Sequence, residues 1–247
     1  MTGPVESALL KAIEKKGCIH LSLIDPEKSS KGLYRTAESL EDLGTSAIMV
    51  GGSTVASSQE LDRTVKTIKD SCSLPVILFP NGVSGISRFA DAIFFMSLLN
   101  SSKTHYIMGA QAQGAPVVTR FKLEPIPLGY ILVGDSATAV SSVSGADLLP
   151  YSKPNLALSY ALAAQYLGMR FVYLEAGSGA ARPVDPEMVS KVSSALDIPV
   201  IAGGGIKTPK QAQELAEAGA SAIVTGTVLE QEGASQIGKI VAAIGRP

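Results

Sequence analysis

Short aliphatic and β-branched runs alternate with segments of helical periodicity from one end of the chain to the other. Eight runs read as strands: 18–24, 46–50, 75–79, 92–98, 129–133, 170–174, 200–202 and 222–225. Segments of helix length separate most of them, the clearest being 30–43, 59–70, 155–167, 186–196 and 209–218. Alternation of this kind predicts a parallel sheet. Pro186 and Pro209 fall near the first turn of their helices, where a missing N–H costs nothing, and Gly44, Gly168 and Gly219 follow helices as caps. A further amphipathic helix opens the chain over 6–16. Between the fourth and fifth strands the pattern loosens. Residues 104–114 read as helix, whereas 120–127 carries two prolines and reads as loop or an edge extension. The stretch 135–153, rich in Ser, Gly, Ala and Thr, is the least regular, and is either a mobile lid or a loose loop.

Eight strands in 247 residues predict a single domain, 1–247, folded as a (β/α)8 TIM barrel. The last two strands run into small residues, Pro199-Val-Ile-Ala-Gly-Gly-Gly-Ile206 and Ser221-Ala-Ile-Val-Thr-Gly-Thr227. Strands seven and eight of such barrels commonly build a phosphate site, and a phosphate seated on backbone N–H groups leaves no room for a Cβ. A phosphorylated small molecule is the expected ligand.

Composition narrows the field. The chain is 46% hydrophobic and 17% charged, with net charge −1 and an isoelectric point near 6.2. No basic run offers the surface that nucleic acid requires, so that partner is disfavoured. Cys18 and Cys72 lack metal-ligand spacing and read as buried or inert thiols, with no sign of an oxidising compartment. The first helix lacks the form of a signal peptide, and no run approaches the roughly 18 apolar residues of a membrane span. A cytoplasmic protein is expected, with a lipid-like substrate left open.

Polar residues gather where strands end. Asp25, in His20-Leu-Ser-Leu-Ile-Asp-Pro-Glu-Lys28, stands at the mouth of strand one, available to a metal, a base role or a turn. The next strand ends Ile48-Met-Val-Gly-Gly-Ser53-Thr54, setting hydroxyls beside Asp25. One carboxylate and one hydroxyl make a loosely specified site that suits Mg²⁺ completed by substrate oxygens and water. Strand six ends Phe171-Val-Tyr173-Leu-Glu175-Ala-Gly177-Ser178-Gly179, and alternation puts Tyr173 and Glu175 on one side, inward if that side faces the mouth. Asp25 and Glu175 are the candidate bases. His20 and His105 read as structural. Phe94, Phe95 and Met96 read as core or as the wall of an apolar substrate pocket.

Taken together these motifs resemble the geranylgeranylglyceryl phosphate synthases, prenyltransferases that form the first ether bond of archaeal membrane lipids. The resemblance runs essentially end to end. It rests on Leu23-Ile-Asp-Pro-Glu-Lys28, Met49-Val-Gly-Gly-Ser-Thr54, Phe79-Pro-Asn-Gly82, Tyr173-Leu-Glu-Ala-Gly-Ser-Gly179, Ala202-Gly-Gly-Gly-Ile206 and Val224-Thr-Gly-Thr227. It implies that Asp25 with Ser53 (or Thr54) holds Mg²⁺ on the diphosphate of geranylgeranyl diphosphate. It implies that Tyr173, Leu174, Glu175, Ala176, Gly177, Ser178 and Gly179, with Gly204, Gly205, Gly226 and Thr227, hold sn-glycerol 1-phosphate. Glu175 then takes the proton of the attacking glycerol hydroxyl and Tyr173 orients it. A homo-oligomer, dimer or hexamer, and transient contact with a membrane surface are implied too. Two other readings stand beside it: a different phosphate-binding barrel such as a phosphosugar isomerase, and a barrel that only binds or scaffolds. A same-family enzyme with a longer prenyl donor is the third.

Overall fold

The structure is a computed structural model that describes residues 2–28, 32–52, 57–135 and 139–245. Eight parallel strands close into a barrel in sequence order: β1 Ile19–Ile24, β2 Ala47–Val50, β3 Val76–Leu78, β4 Ala92–Leu98, β5 Glu124–Leu132, β6 Phe171–Glu175, β7 Val200–Gly203 and β8 Ala222–Thr225. Around it lie α1 Pro4–Lys16, α2 Leu33–Asp42, α3 Ser58–Ser71, α4 Ala110–Phe121 and α5 Ala139–Ser144, then α6 Pro154–Tyr166, α7 Pro186–Ser193, α8 Pro209–Glu217, α9 Thr227–Glu232 and α10 Ala234–Ile244. The expected barrel and its eight strands are present. Gly44, Gly168 and Gly219 take the left-handed φ values of 88°, 82° and 100° that a helix cap demands.

One correction concerns β5, which begins at Glu124 rather than Gly129 and therefore contains Pro125 and Pro127. Both occupy alternate positions directed at β6, and β6 starts only opposite Leu128. Their missing N–H groups break no ladder bond, while Glu124 still donates its N–H to Asp91 on the β4 side. The stretch 104–114 is helical, entering α4 through a π-helical turn at His105–Gly109.

Two apolar layers make the core. Outside the sheet, helices pack on residues such as Ile48, Ile93, Leu174 and Ile223. Inside, Leu21, Met49, Ile77, Tyr130, Tyr173 and Ile201 fill the barrel. Val5 and Leu9 of α1 join that inner cluster, so α1 closes the end of the barrel where the strands begin. The Glu124 carboxylate fastens it there, accepting from the Val5 and Glu6 N–H groups at 2.8 Å each. These are two of the donors a helix N-terminus leaves free. Buried Glu6 in turn accepts from Arg170 Nε at 2.6 Å.

The segment after β5 is better fastened than its composition suggests. Val133 bridges Leu149, Ser101 bridges Ala146, and the Asn100 amide donates to the carbonyls of Leu132 and Asp147 at 2.8 Å. Residues 136–138 of the expected lid lie outside the described residues.

Candidate active site

The strands end around a cavity of about 520 Å³, a size typical of small-molecule sites. One part is polar and glycine-lined, bounded by Asp25, Glu175, Gly204 and Thr227; the other is apolar, running past Phe79 and Met96 to Phe95, Ile86 and Ala110. Met96 and Phe95 point to opposite sides of β4, so the apolar part reaches from the barrel mouth to the space under α4. Phe94 also lines the cavity, and its ring lies 6.2 Å from that of Phe171 in the barrel interior.

Tyr173 and Glu175 both point inward, as alternation predicts. Glu175 ends β6, paired with Leu132 on one side and Gly203 on the other. Its carboxylate is buried and Oε1 accepts from Gly177 N–H at 2.7 Å. Burial raises its pKa, and hydrogen bonds from the Tyr173 hydroxyl and Gly177 N–H offset part of that rise. Tyr173 is locked from below: its ring lies 5.7 Å from Phe79 and 5.3 Å from Tyr130, and those two rings are 5.4 Å apart. Each such pair adds about 0.5–1.5 kcal/mol beyond the area it buries. Burial holds both tyrosine hydroxyls well above their ordinary pKa, with Glu175 adding to the effect. They remain protonated donors at any working pH.

The glycines that end and follow β7 are required by this neighbourhood. A Cβ on Gly203 would meet the Tyr173 hydroxyl. A Cβ on Gly204, whose φ is 80°, would lie 2.6 Å from Gly177 N and would strike Glu175 Oε1. Gly205 follows at φ 69°. Facing them, Gly226 leads into α9 and Ser178 Oγ stands 3.4 Å from Thr227 Oγ1. Backbone groups from three loops therefore converge on one pocket that a phosphate can enter. Leu174 and Ala176, expected among the binding residues, differ: alternation turns their side chains into the outer core, and neither lines the cavity.

Asp25 sits at the end of β1, nearly buried, accepting from Glu27 N–H at 3.1 Å. Gly52 passes so close that a Cβ there would be 2.7 Å from the carboxylate. Lys28 Nζ lies 3.5 Å from Asp25 and 3.3 Å from Glu230. Ser53 and Thr54, the hydroxyls expected beside it, lie outside the described residues. Among the described residues no three His, Cys, Asp or Glu side chains gather as a metal cage. A single carboxylate open to an oxygen-rich ligand still fits Mg²⁺, which keeps waters and takes substrate phosphates as ligands.

His20 is structural, as expected. It is buried between the hydroxyls of Thr45 and Thr225 at 3.0 and 2.8 Å, and burial pushes its pKa down to about 3. Cys18 is inert, its thiol pushed up to about 12 by burial. Both cysteines are free. Tyr130 and Lys28 line the cavity but carried no separate signal. Tyr130 was legible in principle, since Leu128, Tyr130 and Leu132 share the inward side of β5.

The model of the PcrB family matches residues 10–244. A geranylgeranylglyceryl phosphate synthase of Pyrococcus abyssi is 55% identical over 229 residues, covering 92% of this chain and 90% of that protein. The chain belongs to the PcrB family of geranylgeranylglyceryl phosphate synthases. A further member, from Thermofilum pendens, is 49% identical over 246 residues, 98% of this chain and 96% of its own. Among solved structures, the (S)-3-O-geranylgeranylglyceryl phosphate synthase of Thermoplasma acidophilum, in complex with sn-glycerol-1-phosphate, matches with a TM-score of 0.92. It is 45% identical and 99% of each chain is covered. A thiamine phosphate pyrophosphorylase of Pyrococcus furiosus, at 16% identity and TM-score 0.59 over 92% of this chain and 95% of its own, shares the barrel fold only. Among the described residues no helix is long and apolar enough to cross a membrane.

Proposed function

We propose that this PcrB-family chain transfers the geranylgeranyl group of geranylgeranyl diphosphate to the 3-hydroxyl of sn-glycerol 1-phosphate. The products are 3-O-geranylgeranyl-sn-glyceryl 1-phosphate and diphosphate. The observation that carries this reading is the junction in one cavity of a buried carboxylate, a glycine cradle and an apolar extension. Each matches one part of the chemistry: proton acceptor, phosphate and prenyl tail. The Thermoplasma acidophilum relative, solved with sn-glycerol-1-phosphate, supports the acceptor.

In this reading Gly204, Gly205, Gly226 and Thr227 receive the phosphate, and the Ser178–Gly179 backbone borders the glycerol. The glycerol 3-oxygen attacks C1 of the prenyl chain as the bond from C1 to diphosphate breaks, and its proton passes to Glu175. The raised pKa of Glu175 brings it nearer to the operating pH, where a carboxylate base is more effective. Tyr173, fixed by its ring contacts, orients the carboxylate and the hydroxyl. The apolar walls keep water from the electron-poor C1. Asp25 with Ser53 would hold Mg²⁺, which when bound would neutralise charge on the departing diphosphate. Lys28, already paired with Asp25, supplies a further cation beside that group.

A radiolabel transfer assay tests the proposal, with the 3-phosphate enantiomer as control and Mg²⁺ or EDTA present. Metal-dependent product selective for the 1-phosphate is expected, and Glu175→Gln should lower turnover by about 10²–10⁴-fold. Donors of C15 to C35 run in parallel set the preferred tail length. No ether product with any donor would overturn the reading in favour of an isomerase, which the apolar extension of the cavity does not favour.

A further inference from the structure

Arg182 lies in the loop after β6, half-exposed and outside the cavity lining. Its guanidinium donates to Asp135 Oδ2 at 2.9 Å, lies 3.5 Å from Asp185 Oδ2, and sits 4.0 Å from the centre of the Tyr151 ring. Its partners are themselves fixed. Asp135 Oδ1 accepts from Tyr151 N–H at 3.3 Å, and Asp185 caps α7 by accepting from Glu187 N–H at 3.0 Å. One side chain thus joins the loop after β5 to the loop after β6.

The backbone of the same residue makes the second link. The Arg182 carbonyl and Pro183 N press against Gly205, where a Cβ would lie 2.6 Å from the carbonyl carbon and 3.0 Å from the nitrogen. Gly204, the residue before it, is in equally close contact with Gly177, whose N–H holds Glu175. The loop that Arg182 anchors is therefore the back wall of the glycine cradle. A lone exposed ion pair contributes little to stability. Here two carboxylates and an aromatic face converge on one planar cation, a geometry that only guanidinium satisfies. Its consequence falls on the shape of the site more than on the stability of the barrel.

We propose that Arg182 is a positioning residue for the phosphate end of the acceptor, clamping the loops after β5 and β6 so that Gly204 and Gly205 keep their receiving conformation. It touches no reacting atom. The role rests on the assignment of that cradle to sn-glycerol 1-phosphate.

Calorimetric titration of sn-glycerol 1-phosphate into wild-type, Arg182→Ala, Arg182→Lys and Asp135→Asn proteins tests it. Affinity should fall about tenfold in Arg182→Ala, the equivalent of one lost hydrogen bond. Arg182→Lys should not restore it. The double variant Arg182→Ala/Asp135→Asn should bind no more weakly than Arg182→Ala alone, because the two act as one unit. In steady state the KM for the acceptor should rise while that for the prenyl diphosphate stays unchanged. A general structural defect would instead lower Tm and move both constants. Equal binding by wild type and Arg182→Ala would overturn the role of Arg182 alone. No binding by the wild type would overturn the acceptor assignment and the role together.

Discussion

Gly204→Ala is the sharpest probe of the cradle, because its cost separates into two parts. The first is backbone strain. At φ 80° an alanine enters left-handed space, at about 1–2 kcal/mol. The second is steric: the new Cβ would lie 2.6 Å from Gly177 N and 2.8 Å from its carbonyl oxygen, besides striking Glu175 Oε1. Two of these contacts are backbone, so a side-chain rotation cannot relieve them, and overpacking of this kind costs about 1–3 kcal/mol. The sum is ~2–5 kcal/mol, or roughly 4–20 °C in Tm for a domain of this size. Gly168→Ala supplies the control, since φ there is 82° and a Cβ would meet nothing within 4 Å. It should show the strain alone. Thermal unfolding of both variants measures the difference, and titration with sn-glycerol 1-phosphate measures its functional part. The affinity of Gly204→Ala should fall at least tenfold, while that of Gly168→Ala stays at the wild-type value. If the two variants lose equal stability, the close packing of Gly204 on Glu175 and Gly177 is refuted. If Gly204→Ala is destabilised yet binds normally, the phosphate does not sit in this cradle.

Two further outcomes follow from titrating groups. The Tyr173 hydroxyl lowers the pKa of Glu175 against the larger effect of burial, so Tyr173→Phe should move the acid limb of kcat/KM to higher pH. A limb that stays in place, or moves down, would remove the hydroxyl from the tuning of the base. His20 resists protonation in the fold, its pKa pushed down to about 3 from 6.5, whereas the unfolded chain binds that proton; stability should therefore drop as pH falls from 6.5, by about 1.4 kcal/mol per pH unit. Denaturant unfolding between pH 6.5 and 4 should give a slope smaller by that amount in His20→Asn, and parallel wild-type and variant slopes would contradict the burial of a neutral imidazole.

How far the sequence alone reaches can be judged from particular elements. β7 and β8 are legible because aliphatic runs stop at Gly203 and Gly226, a contrast that survives without any tertiary information. The start of β5 was hidden, since prolines argue against a strand until the late start of β6 explains why their N–H groups are dispensable. Tyr173 and Glu175 were readable from a period of two and a glycine turn. The ring stack beneath them was not, because it depends on the register of β3, β5 and β6. The Glu124 cap of α1 joins groups 119 and 118 residues apart, and the Arg182–Asp135 pair spans 47. Contacts of that range leave no local trace, as their energetic reason exists only once the barrel has closed.

The closed end of the barrel bears on the chemistry at the open one. Val5 and Leu9 pack into the inner apolar cluster where the strands start, so that end of the barrel is closed by aliphatic side chains. Tyr130 and Tyr173 present their rings to the apolar interior and to Phe79, and both line the cavity above it. Burial at the edge of that floor raises the pKa of Glu175, and in the proposed reaction the same floor shields the electron-poor prenyl carbon. Activation of the base and protection of the electrophile then have one cause, the dryness of the floor. A barrel built only to isomerise a hydrophilic sugar phosphate would need the first effect without the second, and would have no use for the apolar extension past Met96 and Phe95. The arrangement is economical for a transferase that must bring a water-soluble nucleophile to a lipid tail and keep bulk water from competing with it.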